Sequence, residues 1–117
     1  MAFKLLSKEY KSIEVVPGSA VSAGDYVTSG SSHGFYLTDV ASGDAGTVIV
    51  EAEIVEVVKT ASQTWAAGVA LYVIPGSGAV TTTASSNDLI GYAHEAAANA
   101  DTVGYITMVA LAAFMKL

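Results

Sequence analysis

The sequence predicts a single small all-β domain, built like a barrel or a sandwich. Three observations point there. Turn-forming clusters recur every few residues: Pro17-Gly18, Gly24-Asp25, Gly30-Ser31-Ser32, Ser42-Gly43-Asp44-Ala45-Gly46, Pro75-Gly76-Ser77-Gly78 and Ser85-Ser86-Asn87-Asp88. Strands punctuated that often suit a sandwich or barrel. The long stretches Thr47–Thr60 and Val103–Leu111 alternate with a period of two, the spacing of a strand. Between Ala20 and Gly46 no window carries apolar residues at helical spacing.

The elements follow in order. Residues 1–11 read as an extended N-terminal arm, and residues 12–117 as the single β domain. Ser12–Val16 is the first strand, with Ile13 and Val15 on one face, and Pro17-Gly18 ends it. Short strands follow at Tyr26-Val27 and Phe35-Tyr36-Leu37. Thr47–Thr60 is the longest candidate. Val48, Val50, Ala52 and Ile54 share one face there, and Ile49, Glu51, Glu53 and Val55 the other. The alternation then slips, because Glu56 falls on the apolar side, so a β-bulge is expected near Val55. Thr64–Gly68 has room for one helical turn. A meander follows: Val69–Ile74, the Pro-Gly-Ser-Gly reversal, Ala79–Thr83, the Ser-Ser-Asn-Asp turn, and Leu89–Ala93. His94–Ala98 reads as extended chain despite its alanines. Val103–Leu111 is apolar on both faces and is expected to be covered on both. Ala112–Leu117 stays apolar, and is expected to pack on something.

Bulk properties restrict the function. A chain of 117 residues suits one domain. With 52% hydrophobic and only 14% charged residues, apolar surface is left over for a partner to cover. No apolar run reaches the roughly 20 residues of a membrane helix, and Met1–Ser12 lacks the apolar core of a signal peptide. There is no cysteine, hence no disulfide or thiolate chemistry. The net charge is -6, with five lysines and no arginine. Nucleic acid needs a basic stripe, so no nucleic-acid or membrane partner is expected. Three lysines crowd the first eleven residues, and such a basic arm suits docking on an acidic partner.

Constellations that resemble active sites are weak. Gly30-Ser31-Ser32-His33-Gly34 fits the G-x-S-x-G elbow of hydrolases, with Asp39 or Asp88 and His94 to complete a triad. That elbow needs a helix after the turn, whereas Phe35-Tyr36-Leu37 reads as a strand, so His33 is expected to lie exposed in a plain turn. His33 and His94, even with Asp39 or Glu95, lack zinc-ligand spacing. Glu51, Glu53 and Glu56 read as a solvated strand face. No glycine precedes a lysine, so there is no Walker phosphate loop. Trp65 is expected to plug one end of the barrel. Stacking of a sugar on Trp65 and Tyr72 is the rival use, and it would make the protein a glycan-binding or adhesin module of a phage or host surface. No catalytic, cofactor or metal residues are assigned.

One ordered succession of segments is more telling. Trp65-Ala66-Ala67-Gly68 with Ala70-Leu71-Tyr72, then Gly78–Thr83, Leu89-Ile90-Gly91-Tyr92-Ala93 and Asp101–Ile106, resembles the phage capsid cement, or decoration, proteins. Val21–Asp25, Leu37-Thr38-Asp39 and Gly46-Thr47-Val48 also fit. The family was long a phage domain of unknown function, sometimes mislabelled a RecA/RadA-like recombinase. The resemblance spans Ser12–Val109. Val69 stands where an acidic residue commonly follows the glycine, and the tail is longer and more apolar than the pattern. The resemblance implies a β-tulip-like domain, made in the host cytoplasm. It implies a homotrimer on the exterior of an icosahedral virion capsid, bracing the phage major capsid protein. It implies no enzymatic residues and no cofactor.

Overall fold

A computed structural model describes residues 3–30 and 32–109. Strands are their only regular elements: β1 (Phe3–Leu5), β2 (Tyr10–Val15), β3 (Tyr26–Ser29), β4 (Ser32–Tyr36), β5 (Gly46–Val58), β6 (Ala70–Val73), β7 (Val80–Thr81), β8 (Asp88–Ala93) and β9 (Val103–Met108). The domain is all-β, as its turn spacing predicts. The strand order is β3-β4-β5-β9-β8-β6-β7, with β1 and β2 added to β5.

β5 is the spine. Along one edge it pairs with β2 and then β1, so Phe3 lies opposite Val57 and Val15 opposite Gly46. Phe3–Lys11, set apart in sequence as an arm, thus includes strand laid on β5. Along the other edge β5 pairs with β4 and then β9. From β9 the sheet curls through β8, β6 and β7. It then returns to its start: Val80 forms a parallel bridge with Lys59, just past β5, and the Thr60 N–H donates to the Val80 carbonyl at 2.9 Å. The result is a curled half-barrel that the Lys59–Val80 bridge ties back on itself, with the outer edges of the β1–β2 strip and of β3 left without a strand partner among the described residues.

The curl depends on two irregularities in β5. One lies between Ala52 and Val55 in the pairing with β9, where an extra residue enters. This is the bulge that the slipped alternation predicts. Ser7 holds it open: the Leu6 and Ser7 N–H groups both donate to the Ile54 carbonyl, and the Ile54 N–H donates to Ser7 Oγ. The other, opposite Lys11 and Ser12, was not foreseen. Each extra residue moves the following side chains to the opposite face. Val48 and Val50 therefore join a small cluster with Tyr36 and Val40. Ala52 does not share their face, contrary to the sequence reading. It lies with Ile49, Val55 and Val57 in the large core, which also takes Leu71, Ile90 and Ile106.

Other expectations need correction. Thr64–Gly68 is not helical: Trp65 bridges Ala97, and the chain turns at Gly68, φ 85°. His94–Ala98 is likewise no strand beyond that single bridge. β9 is fully covered on one face only, where Gly104, Ile106 and Met108 are buried, while Val103, Tyr105 and Thr107 are half-exposed. The apolar tail Ala112–Leu117 lies outside the described residues.

Candidate functional site

The elbow-like segment is a hairpin. Ser29 pairs with Ser32, and Gly30 takes φ 61°, a left-handed value that glycine adopts without a Cβ clash. Ser32 opens β4, so the helix an elbow requires is replaced by a strand. The presumed triad partners are engaged elsewhere. Asp39 Oδ1 accepts from the Ala23 N–H at 2.9 Å, Asp88 binds Tyr26, and exposed His94 meets Thr107 Oγ1 at 3.3 Å.

His33 departs from expectation. It is not exposed in the turn but buried, 5% accessible, because it follows Ser32 into β4 and faces inward. There it joins a polar chain through the hairpin's other strand. Tyr26 Oη lies 2.6 Å from His33 Nδ1 and 2.6 Å from Asp88 Oδ2. An ionised carboxylate only accepts, so the tyrosine hydroxyl donates to Asp88 and accepts from His33 Nδ1–H. That fixes the tautomer and leaves the Nε2 lone pair buried without a partner among the described residues. The chain ties β3 and β4 to β8, elements that are not neighbours in the sheet. Nothing in the sequence spacing links residues 26, 33 and 88, so sequence reasoning missed it.

The trio makes stability depend on pH. Burial holds His33 below its ordinary value of 6.5, against the smaller opposing pull of Asp88. The unfolded chain therefore takes up this proton first. The contribution of His33 is full above about 6.5 and is lost as pH falls below it. Tyr26 is pushed far up, by burial first and then by Asp88, so its contribution is lost as pH rises past about 10. Thermal unfolding of the wild type should weaken between pH 7 and pH 5. His33→Asn, which keeps a donor near Nδ1 but does not titrate, should flatten that slope.

Trp65 is 1% exposed, so its ring offers no platform for a sugar. It fills the hollow left by Gly104, where a Cβ would lie 2.3 Å from the ring. Lys59 is also buried, at 3%. Its Nζ donates to the Thr60 and Asp101 carbonyls and stands 5.9 Å from the Trp65 ring centroid. Carbonyl oxygens and a π-face thus stand in for a carboxylate.

The glutamates of β5 do not converge. Glu51 pairs with Lys11 at 3.7 Å, Glu56 lies opposite Tyr105 on β9 and pushes that tyrosine's hydroxyl above its ordinary range, and Glu53 is exposed. Glu51 and Glu53 line an open cleft of about 500 Å³, with Glu9, Tyr10, Lys11 and Met108, where β2, β5 and β9 meet. Among the described residues no His, Cys, Asp or Glu group is arranged to hold a metal, and no helix is long and apolar enough to cross a membrane.

What the surface does offer is contact area. Among the described residues the large exposed apolar side chains are Leu6, Tyr10, Val16 and Tyr92. Three of them lie on or beside the β1–β2 strip, whose outer edge pairs with no strand among the described residues. Such features serve binding between proteins better than chemistry on small molecules.

The chain matches no curated protein. A family model described as phage cement protein matches residues 7–108, nearly the whole of the all-β unit from the turn before β2 to the end of β9. With an ordered match of that length over this fold, the chain belongs to the phage cement protein family.

Proposed function

We propose that this protein decorates the exterior of an icosahedral phage capsid as a homotrimer and braces the lattice of the major capsid protein. The match to the cement family over residues 7–108 carries this reading. The role asks for a rigid wedge with adhesive surface, and no catalytic group takes part. A curled sheet closed near Lys59 supplies rigidity, and the open β1–β2 edge with Leu6, Tyr10 and Val16 supplies adhesion. Trimerisation would multiply weak contacts, since the second and third feet bind at high effective concentration. The acidic surface suits a protein partner rather than nucleic acid or membrane.

The native mass in solution should be that of three chains, and binding to shells assembled from the cognate major capsid protein should saturate. Bound shells should withstand heat or chelator better than bare ones. A monodisperse monomer that ignores such shells would overturn the reading.

A further inference from the structure

The cleft of about 500 Å³ at the meeting of β2, β5 and β9 is both apolar and acidic. Its accessible apolar side chains are exposed Tyr10 and half-buried Val109. Its charged ones are Glu9, Glu51 and Glu53 against Lys11, a net charge of -2. Lys11 is engaged by Glu51 at 3.7 Å, so the excess negative charge belongs to Glu9 and Glu53. Such a cleft suits a segment that is apolar and carries a cation.

This chain supplies one at the cleft itself. Val109 lines the cleft and is the last described residue, so residues 110–117 set out from the cleft's own wall. Leu111, Phe114, Met115 and Leu117 make that segment apolar, and Lys116 is its one charged side chain. Fully extended, eight residues span at most about 29 Å, less than the 31 Å of the molecule's shortest axis. The segment is therefore confined to the side of the molecule on which the cleft lies.

We propose that residues 110–117 fold back into this cleft of the same chain, with Phe114 and Met115 against Tyr10 and Lys116 beside Glu9 and Glu53. Burial of the two apolar side chains drives the contact, and the lysine answers the acidic lining. Tethering to the wall gives the segment an effective concentration in the millimolar range, which a second copy of the chain must exceed to take its place. Leu6 and Val16 do not line the cleft and stay open to other contacts. The docking is independent of the capsid role.

The chain has no cysteine, so an introduced pair reports the contact. In the full chain, Glu9→Cys with Phe114→Cys should oxidise to a disulfide within one chain. It should do so at least about tenfold faster than Val16→Cys with Phe114→Cys, because a disulfide needs Cα atoms within about 7 Å. Val16 is exposed like Glu9 but lies away from the cleft, and Trp65 fluorescence verifies that both variants fold. Non-reducing electrophoresis separates a chain closed on itself from a linked pair. Adding Lys116→Glu to the first variant should slow its oxidation several-fold at low salt, and less at high salt. Equal rates for the two cysteine pairs would overturn the docking. So would a disulfide between chains, which would assign the cleft to the segment of a second copy. A rate unmoved by Lys116→Glu at low salt would overturn the charge match.

Discussion

Replacing Trp65 with alanine should cost ~3–5 kcal/mol, the range for emptying a buried aromatic site. The protein's total stability is on the order of 5–15 kcal/mol, so the variant would be close to unfolding at moderate temperature. The loss has more than one source. The ring fills the hollow over Gly104, faces buried Lys59, and belongs to the large core with Val55, Val57 and Leu71. Its backbone exchanges two hydrogen bonds with Ala97, at 2.9 and 3.0 Å, and alanine would keep these. A cavity would remain beneath a strand that cannot collapse into it, because Gly104 is paired with Val57 across the β5–β9 seam. Denaturant unfolding measures the cost, and a change below half a kcal/mol would mean that the ring does not pack as described. Gly104 provides an internal check. Gly104→Ala forces a Cβ to within 2.3 Å of the ring and should destabilise the wild type, yet cost little once Trp65 is already alanine. That non-additivity is the signature of direct contact.

The class of fold is legible in this sequence because a strand's side chains alternate and because turns demand particular residues. Gly30, Gly43, Gly68 and Gly78 all take left-handed φ, and each lies at or beside a break that the residue types predict. The bulge before Val55 shows as a slip in apolar period. The second irregularity is hidden: Val48, Ile49 and Val50 are all apolar, and all three are buried, so no polar residue reports the change of face. The N-terminal pairing was missed for a similar reason. Phe3-Lys4-Leu5 is too short to stand out from an arm until β5 is known to offer it an edge. Sites depend still more on distance in sequence. Tyr26 and Asp88 meet across 62 positions, and only the curl that brings β8 near the β3–β4 hairpin makes them partners. The exposed histidine of a Gly-Ser turn became a buried one because a two-strand hairpin turns sooner than the pattern suggests.

The second large effect is expected at Gly91. A Cβ there would sit 1.9 Å from the Thr107 carbonyl oxygen and 3.1 Å from the Met108 Cα. Both are backbone atoms, so no side-chain rotation relieves the overlap, and the β8–β9 seam must part. Overpacking of side chains costs about 1–3 kcal/mol, and a backbone obstacle should place Gly91→Ala at or above the top of that range. The position has no slack on its other side, since Gly91 also lies opposite Leu71 on β6. Nor is the damage local. β8 carries Asp88, which anchors the β3–β4 hairpin through Tyr26, and the exposed Tyr92. A displaced β8 should therefore loosen the β3–β4 hairpin along with the β8–β9 seam. Gly76→Ala is the matching control: nothing lies within 4 Å of its would-be Cβ, so its effect should stay within about half a kcal/mol. Equal melting temperatures for the two glycine variants would show that the strands do not approach this closely.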